Sequence, residues 1–242
     1  MAVIPDSFLE DVARRGLGRF TALADDGRIV ALCHAGSNLV PSGQGCGAFA
    51  EVAAHAPAKM IIGEEAAVTA LWDASVRVLP PPREDRPGQP VYELDEPPPP
   101  GNSGLRAATE ADFELLLPAC AAAHEHEIGV DPLRRDPDGF RWRTRAQIVE
   151  GRSWLWAEDG IILFKAEASA WTPHAVQLQQ VWTDPQVRGR GYAGRALRDL
   201  CRLLLERAPR VCLFVRRENH PAIRLYESIG MRRTISYRSL IF

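Results

Sequence analysis

The chain has 242 residues, 46% of them hydrophobic and 25% charged, with a formal net charge of −2. That suits one large core or two smaller ones and excludes disordered and collagen-like classes. The near-neutral balance removes the electrostatic basis for nucleic-acid binding, and no stretch approaches the length of a membrane span. Arginine supplies nearly all the positive charge, Lys59 and Lys165 being the only lysines. The cysteines Cys33, Cys46, Cys120, Cys201 and Cys212 are scattered, with no CxxC pair. Neither a disulfide framework nor a metal site is expected, and a cytoplasmic location is. The opening Met1-Ala2-Val3-Ile4-Pro5-Asp6 lacks the basic start and apolar run of a signal peptide.

In chain order, Arg19 to Ala24 and Arg28 to His34 read as strands joined by a turn at Asp25-Asp26-Gly27. A short strand at Leu39-Val40, a helix over Gly45 to Ala56, a strand over Lys59 to Ile62 and a helix over Glu64 to Ser75 follow. Pro80-Pro81-Pro82 ends that segment, and no element is assigned between Arg83 and Leu94. The stretch Asp95 to Gly104 holds four consecutive prolines, which favour a stiff extended chain. The boundaries drawn are 1–98 for an N-terminal domain, 99–104 for a linker and 105–242 for a C-terminal domain.

The second half repeats the order. Glu110 to His126 reads as a helix with Thr109 as N-cap and acids in its first turn. Ser153 to Ala157 and Ile161 to Ala170 form a hairpin about Glu158-Asp159-Gly160, and Val176 to Trp182 is the next strand. Gly191 to Glu206 is a helix, with Ala193, Leu197, Leu200, Cys201 and Leu204 at helical spacing. Val211 to Val215 is a strand apolar on both faces. Pro221 to Ile229 is a helix ended by Gly230, and Thr234 to Phe242 a last strand. The shared order suggests an internal duplication.

Between a strand and a helix lies Gln186-Val187-Arg188-Gly189-Arg190-Gly191-Tyr192-Ala193-Gly194. Glycines admit a close ligand, and helix N-terminal amides favour an anion such as a pyrophosphate. Gly189, Gly191 and Gly194 also match a dinucleotide fingerprint, the reading of an oxidoreductase. However, six residues separate them from the strand, and the following strand ends in Arg216-Arg217 rather than the acid a ribose needs.

Downstream stand Asn219, Ala222, Tyr226, Gly230 and Met231. With Gln186, Gly189 and Gly191 these residues resemble the signature of the GNAT superfamily of N-acetyltransferases, over about Leu105 to Phe242. The whole chain looks like the tandem type in which a degenerate GNAT-like domain precedes a complete one. The resemblance implies an α/β (α+β) fold of two domains, each a mixed, mostly antiparallel sheet flanked by helices. It implies transfer of an acetyl group from acetyl-CoA to an amine acceptor, small molecule or protein, by direct attack and without metal. It implies that amides of Arg188, Gly189, Arg190, Gly191, Tyr192, Ala193 and Gly194 hold the pyrophosphate. Val181, Trp182 and Thr183 would line the pantetheine arm and polarise the thioester carbonyl. Asn219 would contact the same arm, and Tyr226 would protonate the departing thiolate.

The general base stays open. Candidates are Glu125 and Glu127, with His124 and His126, and Glu167, which alternation places with Lys165 and Ser169 on a polar strand face open to solvent. The family's acid on the strand before the glycine loop is replaced by Gln177, Gln179 and Gln180. That departure keeps an alternative alive, a non-catalytic acyl-CoA sensor or scaffold. Ser42-Gly43-Gln44-Gly45-Cys46-Gly47 occupies the glycine-loop position of the first half without arginines, so that half is expected to be structural, covering the acceptor groove or forming a homodimer interface. Arg134, Arg135, Arg141, Arg143 and Arg145 could serve a carboxylate-bearing acceptor, but such a run is more often a solvated face.

Overall fold

The computed structural model describes residues 3–242, so Met1 and Ala2 of the opening segment lie outside the described residues. In chain order the first elements are α1 (Val3–Arg14), β1 (Arg19–Asp25), β2 (Arg28–Ala35), β3 (Leu39–Gly43), α2 (Ala50–His55), β4 (Met60–Glu64), α3 (Glu65–Ser75) and β5 (Glu84–Leu94). There follow β6 (Arg106–Ala107), α4 (Phe113–Ile128), α5 (Pro132–Arg135), α6 (Pro137–Val149), β7 (Ser153–Glu158), β8 (Ile161–Trp171), β9 (Val176–Thr183), α7 (Tyr192–Leu205), β10 (Val211–Phe214), α8 (His220–Ser228) and β11 (Arg232–Ile241). Among the described residues no helix is long and apolar enough to cross a membrane.

The chain forms two compact units. The first holds 1–93, 214–223 and 232–242; the second holds 94–213 and 224–231. The last strand therefore belongs to the first unit, although the sequence reading groups it with the second half.

In the first unit the strands run β1-β2-β3-β4-β11-β5, antiparallel except for β3 beside β4. Asp26 and Gly27 both take positive φ, at 45° and 73°, as a tight hairpin turn needs. Helix α3 buries Ala67, Val68 and Leu71 against Ile61, Phe49 and Cys33 in one apolar cluster. Each of the larger side chains, Val68, Leu71, Ile61 and Phe49, contributes on the order of 1.5–3 kcal/mol when taken from water. The strand β5 has no counterpart in the sequence reading, because Pro87 and Pro90 interrupt it. It tolerates them because its register against β11 is broken near Pro90, so the missing donors fall at irregularities.

In the second unit the order is β10-β9-β8-β7-β6, antiparallel except for β9 beside β10. Asp159 and Gly160 repeat the positive-φ turn at 48° and 76°. Thr109 forms the expected N-terminal cap, in a reciprocal box with Asp112. Asp112 also takes two bonds from Arg106, at 2.7 and 2.6 Å. The hairpin, strand, helix, strand, helix order recurs in both halves of the chain.

The proline bridge is fastened to α7. Asp199 accepts from the Gly101 amide at 2.7 Å, the Ser103 amide at 2.8 Å and the Ser103 hydroxyl at 2.6 Å. Arg202 Nη1 donates to the Pro98 carbonyl at 2.9 Å, and Arg195 to those of Gly101 and Asn102. A Cβ at Gly101 would lie 1.9 Å from the Arg195 carbonyl oxygen, so only glycine fits there. Partial burial opposes ionisation of Asp199, but the bonds from Ser103 and the amides of Gly101 to Ser103 prevail and hold its carboxyl below the usual range.

Asp199→Ala removes a charged acceptor with three donors and is expected to cost about 2–3 kcal/mol by urea denaturation at neutral pH. Because the folded carboxyl titrates low, its contribution is complete above about pH 4 and fades as pH falls through the folded value. The gap between wild type and variant should therefore narrow in acid.

Candidate functional site

The site begins with a mismatch in register. Gln179 stands opposite Glu167, and Trp182 opposite Lys165. Three steps along β9 thus face two along β8, and the surplus residue is absorbed in a bulge. Gln180 carries it, at φ +52°. The other positive-φ residues among those described, apart from glycines, are Asp26, Asn102 and Asp159 in turns or loops. A glutamine held there inside a strand costs on the order of 1 kcal/mol. On its other side β9 pairs with β10 at Val176 and Gln177, and the pairing stops there. Val181, Trp182 and Thr183 thus lie beyond the reach of β10, with one edge of their backbone not taken up by that strand.

After β9 the chain turns sharply. Asp184 Oδ1 accepts from the Gln186 amide at 2.7 Å, starting a short 3₁₀ turn over Pro185–Val187. Arg188 Nε donates to the Thr183 carbonyl at 3.1 Å. Gly189 and Gly191 then take φ of +77° and +82°, and Gly191 is the N-cap of α7. A Cβ built at either meets no atom within 4 Å. The space above this loop is open, and the first-turn amides of α7 open toward it without helical acceptors. Arg188 and Arg190 are exposed beside it. An anion of pyrophosphate size has donors and charge here and nothing in its way.

The corresponding loop of the first unit is closed on itself. A Cβ at Gly43 would lie 2.3 Å from the Val30 carbonyl oxygen, and one at Gly47 would lie 3.2 Å from that of Ala70. Cys46 is fully buried and its thiol donates to the Gly43 carbonyl at 3.4 Å. In this loop the glycines serve close packing, whereas those at 189 and 191 border open space.

Tyr226, on α8, is 5% exposed. Burial first, then the nearby Glu127 carboxylate and Cys201, push its phenol well above the ordinary value, so it keeps its proton. Glu127 sits in the last turn of α4, half-buried, and accepts from Gln180 Nε2 at 2.6 Å. Glu125 is exposed two residues earlier. Of the candidate acids on α4, the fold brings Glu127 to the bulge and the phenol.

Glu167 departs from expectation. The polar face of β8 is not solvated: Lys165 is fully buried and Glu167 is 9% exposed. Glu167 Oε1 accepts from Lys165 Nζ at 2.5 Å and from the Cys120 thiol at 3.4 Å, and Oε2 accepts from Gln179 Nε2 at 3.4 Å. Alternation misreads this face because α4 covers it. Burial alone would lower the Lys165 pKa, but Glu167 and Cys120 outweigh it and raise it, so the ammonium stays charged. Burial pushes the Cys120 thiol up to about 12. Removing one member of such a pair typically costs 3–5 kcal/mol. His124 is half-buried nearby, its pKa lowered by burial and then by Arg143. Asn219 lies before α8 and its Oδ1 accepts from the Ala222 amide at 3.3 Å.

The arginine run is exposed but locally paired. Arg141 bonds Glu114 at 2.6 Å, Arg143 bonds Asp136 at 3.3 Å, and Arg134 meets Asp131 at 3.2 Å. Arg145 lies over the Phe113 ring at 4.3 Å.

Residues 18–116 match the model of a domain of unknown function (DUF4081), and residues 163–239 match that of an FR47-like protein. Among solved structures, a GNAT-family acetyltransferase from Colwellia psychrerythraea aligns with TM-score 0.62 at 11% identity, covering 99% of this chain and 94% of its own. A putative GNAT-family acetyltransferase from Novosphingobium aromaticivorans gives 0.58 at 20% identity, covering 98% and 96%. A GCN5-related N-acetyltransferase from Kribbella flavida gives 0.60 at 16% identity, covering 98% and 93%. No curated protein matches the chain.

Gln180→Ala should lose the bond to Glu127 and keep the φ penalty, at a cost of about 1.5–3 kcal/mol. Gln180→Gly, free of the φ penalty, should recover about 1 kcal/mol of that in denaturant midpoints.

Proposed function

We infer, for a chain that carries the fold of the GNAT superfamily over nearly its whole length and an FR47-like match in its C-terminal half, that it transfers an acyl group from acetyl-CoA to an amine. The observation that carries this reading is the open glycine cradle directly following the free edge of β9. Amides from Arg188 to Gly194 would hold the pyrophosphate, with Arg188 and Arg190 adding charge. The backbone of Val181 to Thr183 would bind the pantetheine arm, and an amide there would face the developing oxyanion. Acetyl-CoA supplies the activated acyl carbonyl and a sulfur leaving group. Tyr226, kept protonated by burial, suits delivery of a proton to that sulfur. Asn219 would contact the arm ahead of α8. A cytoplasmic setting suits this chemistry.

The first unit, on this reading, does not bind acyl-CoA, because its own backbone fills the space that Gly189 and Gly191 leave open. It contributes structure, and a surface for a second copy of the chain is consistent with that. One observation favours a second reading: β9 offers Gln177, Gln179 and Gln180 where an acid is common in the family. A non-catalytic acyl-CoA sensor would keep the cradle and lack the base.

Calorimetric titration with acetyl-CoA tests both. Binding to wild type and its loss in Gly191→Trp, with the melting temperature of the variant followed alongside, is the expected result. Thiol release with a panel of amines then separates enzyme from sensor. Tyr226→Phe should bind acetyl-CoA normally and lower the maximal rate about 10²-fold; a sensor shows no turnover in either form.

A further inference from the structure

Four titratable residues, His124, Glu125, His126 and Glu127, close α4, and the fold treats them differently. Glu125 and His126 are exposed. His124 turns toward the Lys165–Glu167 pair and packs on Phe140. Glu127 is the one bonded to the β9 bulge, at 2.6 Å, and the one whose charge reaches the Tyr226 phenol. Its position is unfavourable for stability alone, since the carbonyl end of a helix repels a carboxylate. Its partner, Gln180, is the strained residue immediately before the free edge at Val181 to Thr183. Glu127 therefore stands against the bulge just ahead of that edge, within electrostatic reach of the Tyr226 phenol. Glu167, by contrast, is neutralised by Lys165 and already accepts three bonds.

Resting on the acyl-transfer reading above, we propose that Glu127 is the base that takes the proton of the acceptor, and that the acceptor is an alkylamine arriving as an ammonium ion. A carboxylate both attracts an ammonium and can relieve it of a proton; an amine that arrives neutral needs neither. The ammonium gives one N–H proton to a Glu127 oxygen. Its freed lone pair forms the N–C bond at the thioester carbonyl. The C–S bond breaks, its electron pair leaves on sulfur, and sulfur takes the Tyr226 proton. The second amine proton, acidic once nitrogen is bonded to the carbonyl carbon, restores the phenol. Glu127 then releases its proton to solvent. One ammonium and one thioester give one amide, one thiol and one proton. The titratable groups that act on Tyr226 are Glu127 on α4 and Cys201 on α7, while Arg143, Glu167, Lys165 and Arg135 act on His124, one turn before Glu127 on α4.

The test compares wild type, Glu127→Gln and Gln180→Gly. Acetyl-CoA affinity is measured by calorimetry. Thiol release is followed without acceptor, with 1,4-diaminobutane and with aniline, across pH. Glu127→Gln keeps an oxygen that can accept from Gln180, so melting temperature and acetyl-CoA affinity should be unchanged. Its acceptor-free release, in which water is the nucleophile, should fall roughly 10²-fold and lose the rise through the carboxylate range. Release with 1,4-diaminobutane should fall as far at pH 7 and recover about tenfold per pH unit as the amine deprotonates; aniline, already neutral, should lose least. Gln180→Gly, which keeps the carboxylate, should lose far less. Equal rates and pH profiles in wild type and Glu127→Gln, at equal affinity for acetyl-CoA, overturn the proposal while leaving acyl-CoA binding standing. Losses in Gln180→Gly that match those of Glu127→Gln overturn it too, because the bond to the bulge would then be the whole effect. Failure of wild type to bind acetyl-CoA overturns the acyl-transfer reading, and the assignment of Glu127 with it.

Discussion

One surplus residue in β9 governs the architecture of the site. A regular strand would stay in step with β8 and offer its amides at even spacing. The extra residue makes that impossible, and the chain resolves it by forcing Gln180 to φ +52°. From there on, the strand points its backbone differently, and β10 no longer accompanies it beyond Gln177. The bulge is held from above by α4 through Glu127. The irregularity and the acid are thus tied together by a hydrogen bond to a charged group rather than by an apolar contact.

The two glycine-rich loops show how little a motif says without its surroundings. Both follow a strand, and both precede a helical turn. In the first unit, Val30 and Ala70 crowd against the glycines, so the absence of side chains serves the protein's own packing. In the second unit the same absence borders empty space, with arginines at the rim. Glycine serves a close approach of the chain itself in the first; in the second nothing lies within 4 Å of the added atom.

Much of this was legible in the sequence. The Asp-Gly turns, the amphipathic α7 and the apolar β10 follow from local chemistry that nothing distant opposes. The glycine loop lies between a strand and a helix, and Tyr226 lies on a helix, as the local pattern indicates. Three things were not legible. Strand β5 is hidden by Pro87 and Pro90, since its prolines are tolerated only because β11 meets it out of step. The burial of Lys165 and Glu167 depends on α4 lying over them, which alternation along β8 cannot express. Gln180 belongs to a residue type with no liking for positive φ, so nothing in the local sequence announces the bulge. Within His124-Glu125-His126-Glu127, only the helix phase decides which acid turns inward.

The placement of β11 bears on how the protein is made. It lies between β4 and β5 and hydrogen-bonds to both, within the first compact unit. A ribosome delivers β4 and β5 well before β11, with residues 95–231 in between. Until β11 emerges the first unit therefore waits with two unsatisfied edges, each a template for pairing with another chain. Its sheet closes only when residues 232–241 emerge, so the first unit completes its fold only after the chain of the second unit has been made. The order of the chain and the order of assembly run in opposite directions.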